Sequence, residues 1–372
     1  MTKSRAAVLQ KFETDVEVAM FDVPEPQPNS AIVDIAYAGI CGTDLHLQRG
    51  KLPIPVPVVL GHEATGYINT LGEGLTHDVL GQALAPGDAV SWLNNISCGR
   101  CKYCLIEMQP TLCVGSRRIY GINQSADVFP HLSGGWADQI YLQPGTVLVK
   151  LPSGVEPRDV IPLGCAGPTA VHGVLDEVTI GVGDTVVVQG SGPVGVAAAI
   201  YARLGGAKRI IMVGGPAARL EQAEALGLAD DYFDVTDGSD AAERAEAVRA
   251  LTPGGLGADV VLECAGVPAA VAQGIDLCRP GAQYSVIGQY TDNGTTPINP
   301  HYITRKQLRV HGSWGFSARH YIRYVQLLPA VLERFDVRSI ATEYALSDVN
   351  RAMADVRAGA VMKAVINPGL DR

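Results

Sequence analysis

The sequence predicts an α/β chain in two parts: a doubly wound parallel sheet, and a β-rich domain that precedes it. Three observations carry that prediction. Near residue 165 the texture changes from short β-runs broken by Gly and Pro to strands alternating with helices, the pattern of a parallel sheet covered on both faces. The apolar strand Thr185–Gln189 lacks polar alternation and runs straight into a glycine-rich turn, as a doubly covered strand does. The 372 residues are 47% hydrophobic and 18% charged, enough apolar material for two domains of roughly 150 residues.

In the first part, predicted strands are Ala31–Ala38, Val56–Leu60, Ala64–Leu71, Ala89–Leu93 and Gln139–Leu142. Turns such as Pro86-Gly87-Asp88 and Pro144-Gly145 separate them, which suggests a compact, partly open barrel or sandwich. In the second part, predicted strands Thr185–Gln189, Arg209–Val213, Tyr232–Val235, Asp259–Glu263, Tyr284–Ile287 and Leu308–His311 alternate with helices. The tail reads as the amphipathic helix Ala318–Glu333, a helix at Val349–Ala358 and the strand Met362–Ile366. The expected division is residues 1–166, then 167–308 for the parallel sheet, then 309–372 rejoining the first domain.

The net charge is -9, which argues against nucleic acid, because a phosphate backbone attracts basic surface. No apolar run approaches the ~18 residues of a membrane span. Residues 1–20 are punctuated by Lys3, Arg5, Lys11, Glu13 and Asp15. A cytoplasmic chain is expected. There the 8 cysteines need a reason other than disulfides.

Gly190-Ser191-Gly192-Pro193-Val194-Gly195 follows a strand and opens a helix. In that setting the glycines let a pyrophosphate approach the positive helix N-terminus, so the turn predicts a dinucleotide site. The acid that should close the next strand and bind the adenosine ribose is absent, because Gly214 stands there. Arg219 is the cation placed to reach back, although a solvated helix position is the plainer reading. NAD and NADP both stay open, with NAD marginally preferred.

Cys98, Cys101, Cys104 and Cys113 fall in one loop, about residues 95–115. Four thiolates surround Zn²⁺ tetrahedrally and leave no open position, so a site of this kind is structural. Three further segments carry ligand types: Cys41-Gly42-Thr43-Asp44-Leu45-His46, Gly61-His62-Glu63 and Gly164-Cys165. A catalytic zinc takes about three protein ligands and keeps an open place, and Cys41, His62 and Cys165 supply that number. Spacing alone leaves each of them equally a buried thiol or a satisfied core histidine.

Taken together these segments resemble the zinc-dependent medium-chain dehydrogenase/reductase family, in its alcohol dehydrogenase group. Gly61, His62, Glu63, Gly66 and Gly72 match its signature, and the four-thiol lobe and Gly190–Gly195 follow in family order. The resemblance implies a GroES-like catalytic domain beside a Rossmann domain. It implies two zinc ions: one catalytic on Cys41, His62 and Cys165, one structural on the lobe. It implies reversible hydride transfer between an alcohol and NAD(P)⁺, with Thr43 and His46 relaying the proton. Asp44 would orient His62, although an N-cap role is the alternative. Glu63 would be an exchangeable fourth ligand or a supporting carboxylate. A homodimer or homotetramer is the family expectation, and a small-molecule alcohol or carbonyl the partner.

Three features depart from the family pattern. The last gap in the lobe is eight residues rather than seven, Gly42 replaces an arginine of liver-type enzymes, and Gly214 replaces the ribose acid. Trp92, Asn94, Trp136 and Trp314 fall in segments that can reach the substrate region. They favour a secondary or cyclic alcohol if they line it, but each is as readily core packing. A zinc-free quinone or enone reductase on the same scaffold is one rival, and a non-catalytic nucleotide- or zinc-binding protein another. The ligand types and the pair Thr43 and His46 weigh against both.

Overall fold

The computed structural model describes residues 2–371, which divide into two compact units. Residues 2–165, 317–333 and 337–371 form the first, and residues 166–316 and 334–336 the second. The expected boundary at 308 is corrected to 316. The strand Arg309–Gly312 pairs in parallel with Cys278–Val286 and so completes the second unit's sheet.

The first unit is built around the strand Ala31–Ile40. It pairs antiparallel with Ala64–Leu71, Gln139–Leu142 and Lys363–Ile366 within a seven-stranded sheet. The tail therefore supplies a central strand of this unit. Flanked by partners, Ala31–Ile40 buries residues on both faces. Its Val33, Ile35 and Ile40 join Trp92, Trp136 and Leu142 in one apolar core. A second sheet, Glu17–Asp22, Lys3–Leu9 and Val58–Val59, packs Ala6 and Val8 with Leu132 and Tyr141. The strand expected over Val56–Leu60 shrinks to Val58–Val59. The prolines at 53, 55 and 57 lack the N–H a ladder needs.

Glycines of the sequence signature are fixed by close approach. A Cβ on Gly66 would lie 1.9 Å from the Asp34 carbonyl oxygen of the paired strand. That contact leaves room only for hydrogen.

The second unit is a six-stranded parallel sheet. Its spatial order is Asp231–Asp234, Arg209–Gly214, Thr185–Gln189, Ala258–Glu263, Cys278–Val286, Arg309–Gly312. Numbered along the chain, this is 3-2-1-4-5-6, the doubly wound Rossmann order with its switch point beside Thr185–Gln189. Val186, Val187 and Val188 are fully buried, because helices cover both faces. The helix Pro193–Leu204 starts at the glycine turn with Gly192 as N-cap.

Candidate active site and metal centres

Four side chains from three distant stretches converge in the first unit. One ligand atom each from Cys41, His62, Glu63 and Cys165 lies within 4.8 Å of the others. Local structure explains each placement. Cys41 ends a strand and caps the helix Gly42–Gln48, its Sγ accepting from the Thr43 N–H at 3.4 Å. Asp44 closes the capping box from the other side, its Oδ2 accepting from the Cys41 N–H at 2.9 Å. Its other oxygen, Oδ1, lies 3.1 Å from His62 Nδ1. The alternative N-cap role belongs to Cys41 instead: Asp44 is the third helical residue, which accepts from the cap's N–H through Oδ2 and meets the imidazole through Oδ1. With Nδ1 engaged, His62 keeps Nε2 for the cluster, the arrangement usual for a metal-binding histidine.

The electrostatics suit a cation. A hydrogen bond from Cys165, then one from His62, holds the half-buried Cys41 thiol well below its usual range. The same Cys41–Cys165 bond, with desolvation, pushes Cys165 up. Burial works against charge on His62, but Asp44 and Cys41 override it and raise the imidazole. Glu63 Oε1 is buried with no hydrogen-bond partner, while Oε2 accepts from Lys363 Nζ at 2.6 Å. An unpaired carboxylate oxygen in such a place costs roughly 1–3 kcal/mol or more, a cost that a metal ion at the cluster removes.

Lys363 was not legible beforehand. It lies on the returning tail strand, 300 residues from Glu63, and nothing local marks it. Replacing Asp44 by Ala is expected to lower zinc affinity or activity about 10–100-fold, because His62 loses its orienting partner. Zinc retention against a chelator measures this.

Thr43 and His46 share the helix Gly42–Gln48, three residues apart, and so face the same side. His46 Nδ1 is buried without a partner. Burial, then Lys51, lowers its pKa, so the ring is neutral at pH 7 with a nitrogen free to accept a proton.

The second cluster also forms. Cys98, Cys101, Cys104 and Cys113 each place Sγ within 4.8 Å of the rest. Cys101 and Cys104 lie 3.5 Å apart and Cys98 and Cys104 4.0 Å. Zn–S bonds of ~2.3 Å in a tetrahedron require S···S of roughly 3.8 Å, so the spacing fits. Backbone N–H groups of Val114 and Cys104 pull the Cys101 thiol down to about 6. Desolvation and the Cys101 thiol push Cys104 up to about 12. The eight-residue gap is taken up by a 3₁₀ turn at Pro110–Leu112.

In the second unit a pocket of about 380 Å³ opens at the carboxyl ends of the central strands. Gly190, Ser191, Gly192, Gly214, Arg219 and Arg244 are among its lining. Pro193, Val194 and Gly195 form the first turn of the helix behind it. Arg219 is not the solvated residue expected on the plainer reading: it is half-buried and faces the pocket. Arg244 was missed, because it comes from a helix 30 residues beyond Gly214 with no motif of its own.

Of the proposed substrate-lining residues, Trp92 and Trp136 belong to the core, and Trp136 Nε1–H donates to the Gly39 carbonyl at 3.0 Å. Asn94 is half-buried, and Trp314 is exposed and stacked on Tyr290 at 4.7 Å. Cys264 and Cys278 are buried thiols raised by desolvation, consistent with inert positions.

Comparison with known proteins agrees along the whole chain. The family model for the alcohol dehydrogenase GroES-like domain matches residues 27–153, and that for the zinc-binding dehydrogenase matches residues 193–330. A 5-exo-hydroxycamphor dehydrogenase from Pseudomonas putida is 33% identical over 100% of both chains. The crystal structure of an alcohol dehydrogenase from Thermotoga maritima superposes with a TM-score of 0.93 at 30% identity, covering 99% of this chain and 100% of that one. A zinc-binding dehydrogenase from Sinorhizobium meliloti 1021, bound to NADP, gives 0.84 at 28%, with the same coverage. These matches extend over both units, and no helix among the described residues is long and apolar enough to cross a membrane. The chain belongs to the zinc-dependent medium-chain dehydrogenase family, in its alcohol dehydrogenase group, and is an oxidoreductase that uses zinc and a nicotinamide cofactor.

Proposed function

We propose that this chain oxidises a secondary or cyclic alcohol to its ketone, reversibly, with Cys41, His62 and Cys165 as the ligands of a catalytic zinc. The observation that carries this reading is the meeting of two half-buried thiols, a buried imidazole and a buried, half-partnered carboxylate within 4.8 Å. Two sulfurs, one nitrogen and an exchangeable oxygen are a donor set zinc accepts.

Bound there, zinc supplies Lewis acidity to the substrate oxygen. The nicotinamide cofactor supplies the hydride acceptor. The residues do the rest. Asp44 fixes the ring of His62. Lys363 holds Glu63 by Oε2 and leaves Oε1 facing the cluster, so Glu63 would be a tethered, exchangeable carboxylate ligand for a bound zinc. Neutral His46 offers its buried, unpartnered Nδ1 to a proton, with Thr43 one turn before it on the same helix.

Cys98, Cys101, Cys104 and Cys113 hold a second, structural zinc in this reading, giving two ions per chain. The cyclic substrate class is supported by the hydroxycamphor relative, whose named substrate is a cyclic secondary alcohol. Self-association is supported by the sheet edge Arg309–Gly312, which is paired on one side only and exposes Val310. Bare edges of this kind are places for a second chain. Eight free thiols fit a reducing cytoplasm.

The test is a panel of primary, secondary and cyclic alcohols with NAD⁺ and NADP⁺, followed by the absorbance of reduced nicotinamide. Cyclic secondary alcohols are expected to turn over fastest. Metal-independent reduction of enones with no alcohol oxidation would replace this reading with the reductase rival.

A further inference from the structure

We propose that the nucleotide pocket selects NADP over NAD, with Arg219 and Arg244 receiving the 2′-phosphate of the adenosine ribose. The proposal rests on the dinucleotide reading of the Gly190–Gly195 turn and names the cofactor that turn serves.

The first observation is why the ribose acid is missing. Gly214 ends its strand directly against the glycine turn. A Cβ there would lie 2.7 Å from the Ser191 backbone nitrogen and 2.8 Å from its Cβ and Oγ. Ser191 cannot give way easily, because its Oγ accepts from the Gly215 N–H at 3.0 Å and donates to the Gly215 carbonyl at 3.1 Å. No carboxylate can therefore stand at position 214. Asp234, opposite Gly214 on the paired strand, spends Oδ1 on the Thr236 N–H and hydroxyl, both at 2.7 Å, and does not line the pocket.

The second observation is the charge of the pocket. Its lining includes Arg219 and Arg244 and no Asp or Glu, in a chain whose net charge is -9. Arg219 stands in the first turn of the helix that follows Gly214, and Arg244 reaches the Asp234 carbonyl beside Val235. Two guanidinium groups in a lining without carboxylates attract a phosphate and offer nothing to a 2′-hydroxyl that needs an acceptor.

The third observation is the state of the two side chains. Arg219 Nε is buried with no hydrogen-bond partner. Burial alone acts on its guanidinium, with no neighbouring carboxylate to offset it. A buried, unpaired donor is costly, and a phosphate oxygen is the acceptor that guanidinium geometry suits best. Arg244 is held in place instead. Its side chain is 10% exposed, and Nη1 donates to Ser239 Oγ at 2.6 Å, to the Ser239 carbonyl at 3.3 Å and to the Asp234 carbonyl at 3.4 Å, with Asp237 at 3.7 Å. One arginine is thus anchored and the other waits for an acceptor.

The experiment needs no knowledge of the alcohol. Calorimetric titration compares adenosine 2′,5′-bisphosphate with adenosine 5′-monophosphate on the zinc-loaded protein at low salt. The bisphosphate is expected to bind at least about tenfold more tightly, the order of one charge-assisted contact. Arg219→Gln is expected to bring that ratio close to one, and Arg219→Lys to restore part of it. Equal binding of the two ligands by the native chain, or a Gln variant that weakens both by the same factor, would overturn the preference alone. Binding of neither ligand would overturn the preference together with the dinucleotide reading beneath it.

Discussion

Replacing Lys363 by Met is expected to destabilise the first unit by about 3–5 kcal/mol, measured by urea unfolding. The side chains of Lys363 and Glu63 are 3% and 1% exposed. Burial opposes charge on Lys363, but Glu63 and Cys41 outweigh it and hold the ammonium raised and charged. The pair has no room to rearrange. A Cβ on Gly39 would lie 2.5 Å from Glu63 Oε2 and 2.9 Å from Lys363 Nζ, and one on Gly164 2.8 Å from the same oxygen. Removing the cation strands a carboxylate between two thiols. The double variant Lys363→Met with Glu63→Gln removes the stranded charge and is expected to recover most of the loss. A single variant that loses under ~1 kcal/mol would show that Lys363 does not compensate Glu63.

Replacing Cys41 by Ser is expected to cut turnover about a thousandfold, roughly 4 kcal/mol of barrier, the scale of a Lewis acid's contribution. The hydroxyl still accepts from the Thr43 N–H, so the helix Gly42–Gln48 keeps its cap and the fold should survive. Turnover with a saturating alcohol, beside a circular dichroism spectrum, checks both halves. A fully active variant would remove Cys41 from the catalytic ligands.

Much of this was legible in the residues because the chemistry is written locally. Four cysteines in one loop and a glycine turn between strand and helix each carry a short-range physical reason, whereas Cys41, His62 and Cys165 stood out only through the family resemblance. Thr185–Gln189 and Gln139–Leu142 appear over the residues their apolar runs mark. What stayed hidden depends on distant partners. The strand Lys3–Leu9 was not among those expected, because Lys3 and Arg5 interrupt its apolar run, and Arg5 pairs with Asp138 at 2.8 Å and Asp371 at 3.1 Å. The edge strand Glu17–Asp22 is mostly exposed and has too little apolar alternation to declare itself. Lys363 and Arg244 gain meaning only from what the fold places opposite them. Arg219 needed the depth of a pocket, and the emptiness of position 214 needed the position of Ser191. Sequence can say that an acid is missing there, but only packing says why.

Cys41, His62 and Cys165 are expected to hold a metal distinct from that of the cysteine lobe. Metal analysis by atomic emission on the native protein and on Cys41→Ser tests it most directly. The expected result is two zinc ions per native chain and one per variant chain, with the lobe's ion retained. One ion or none in the native protein, or two in the variant, would contradict it.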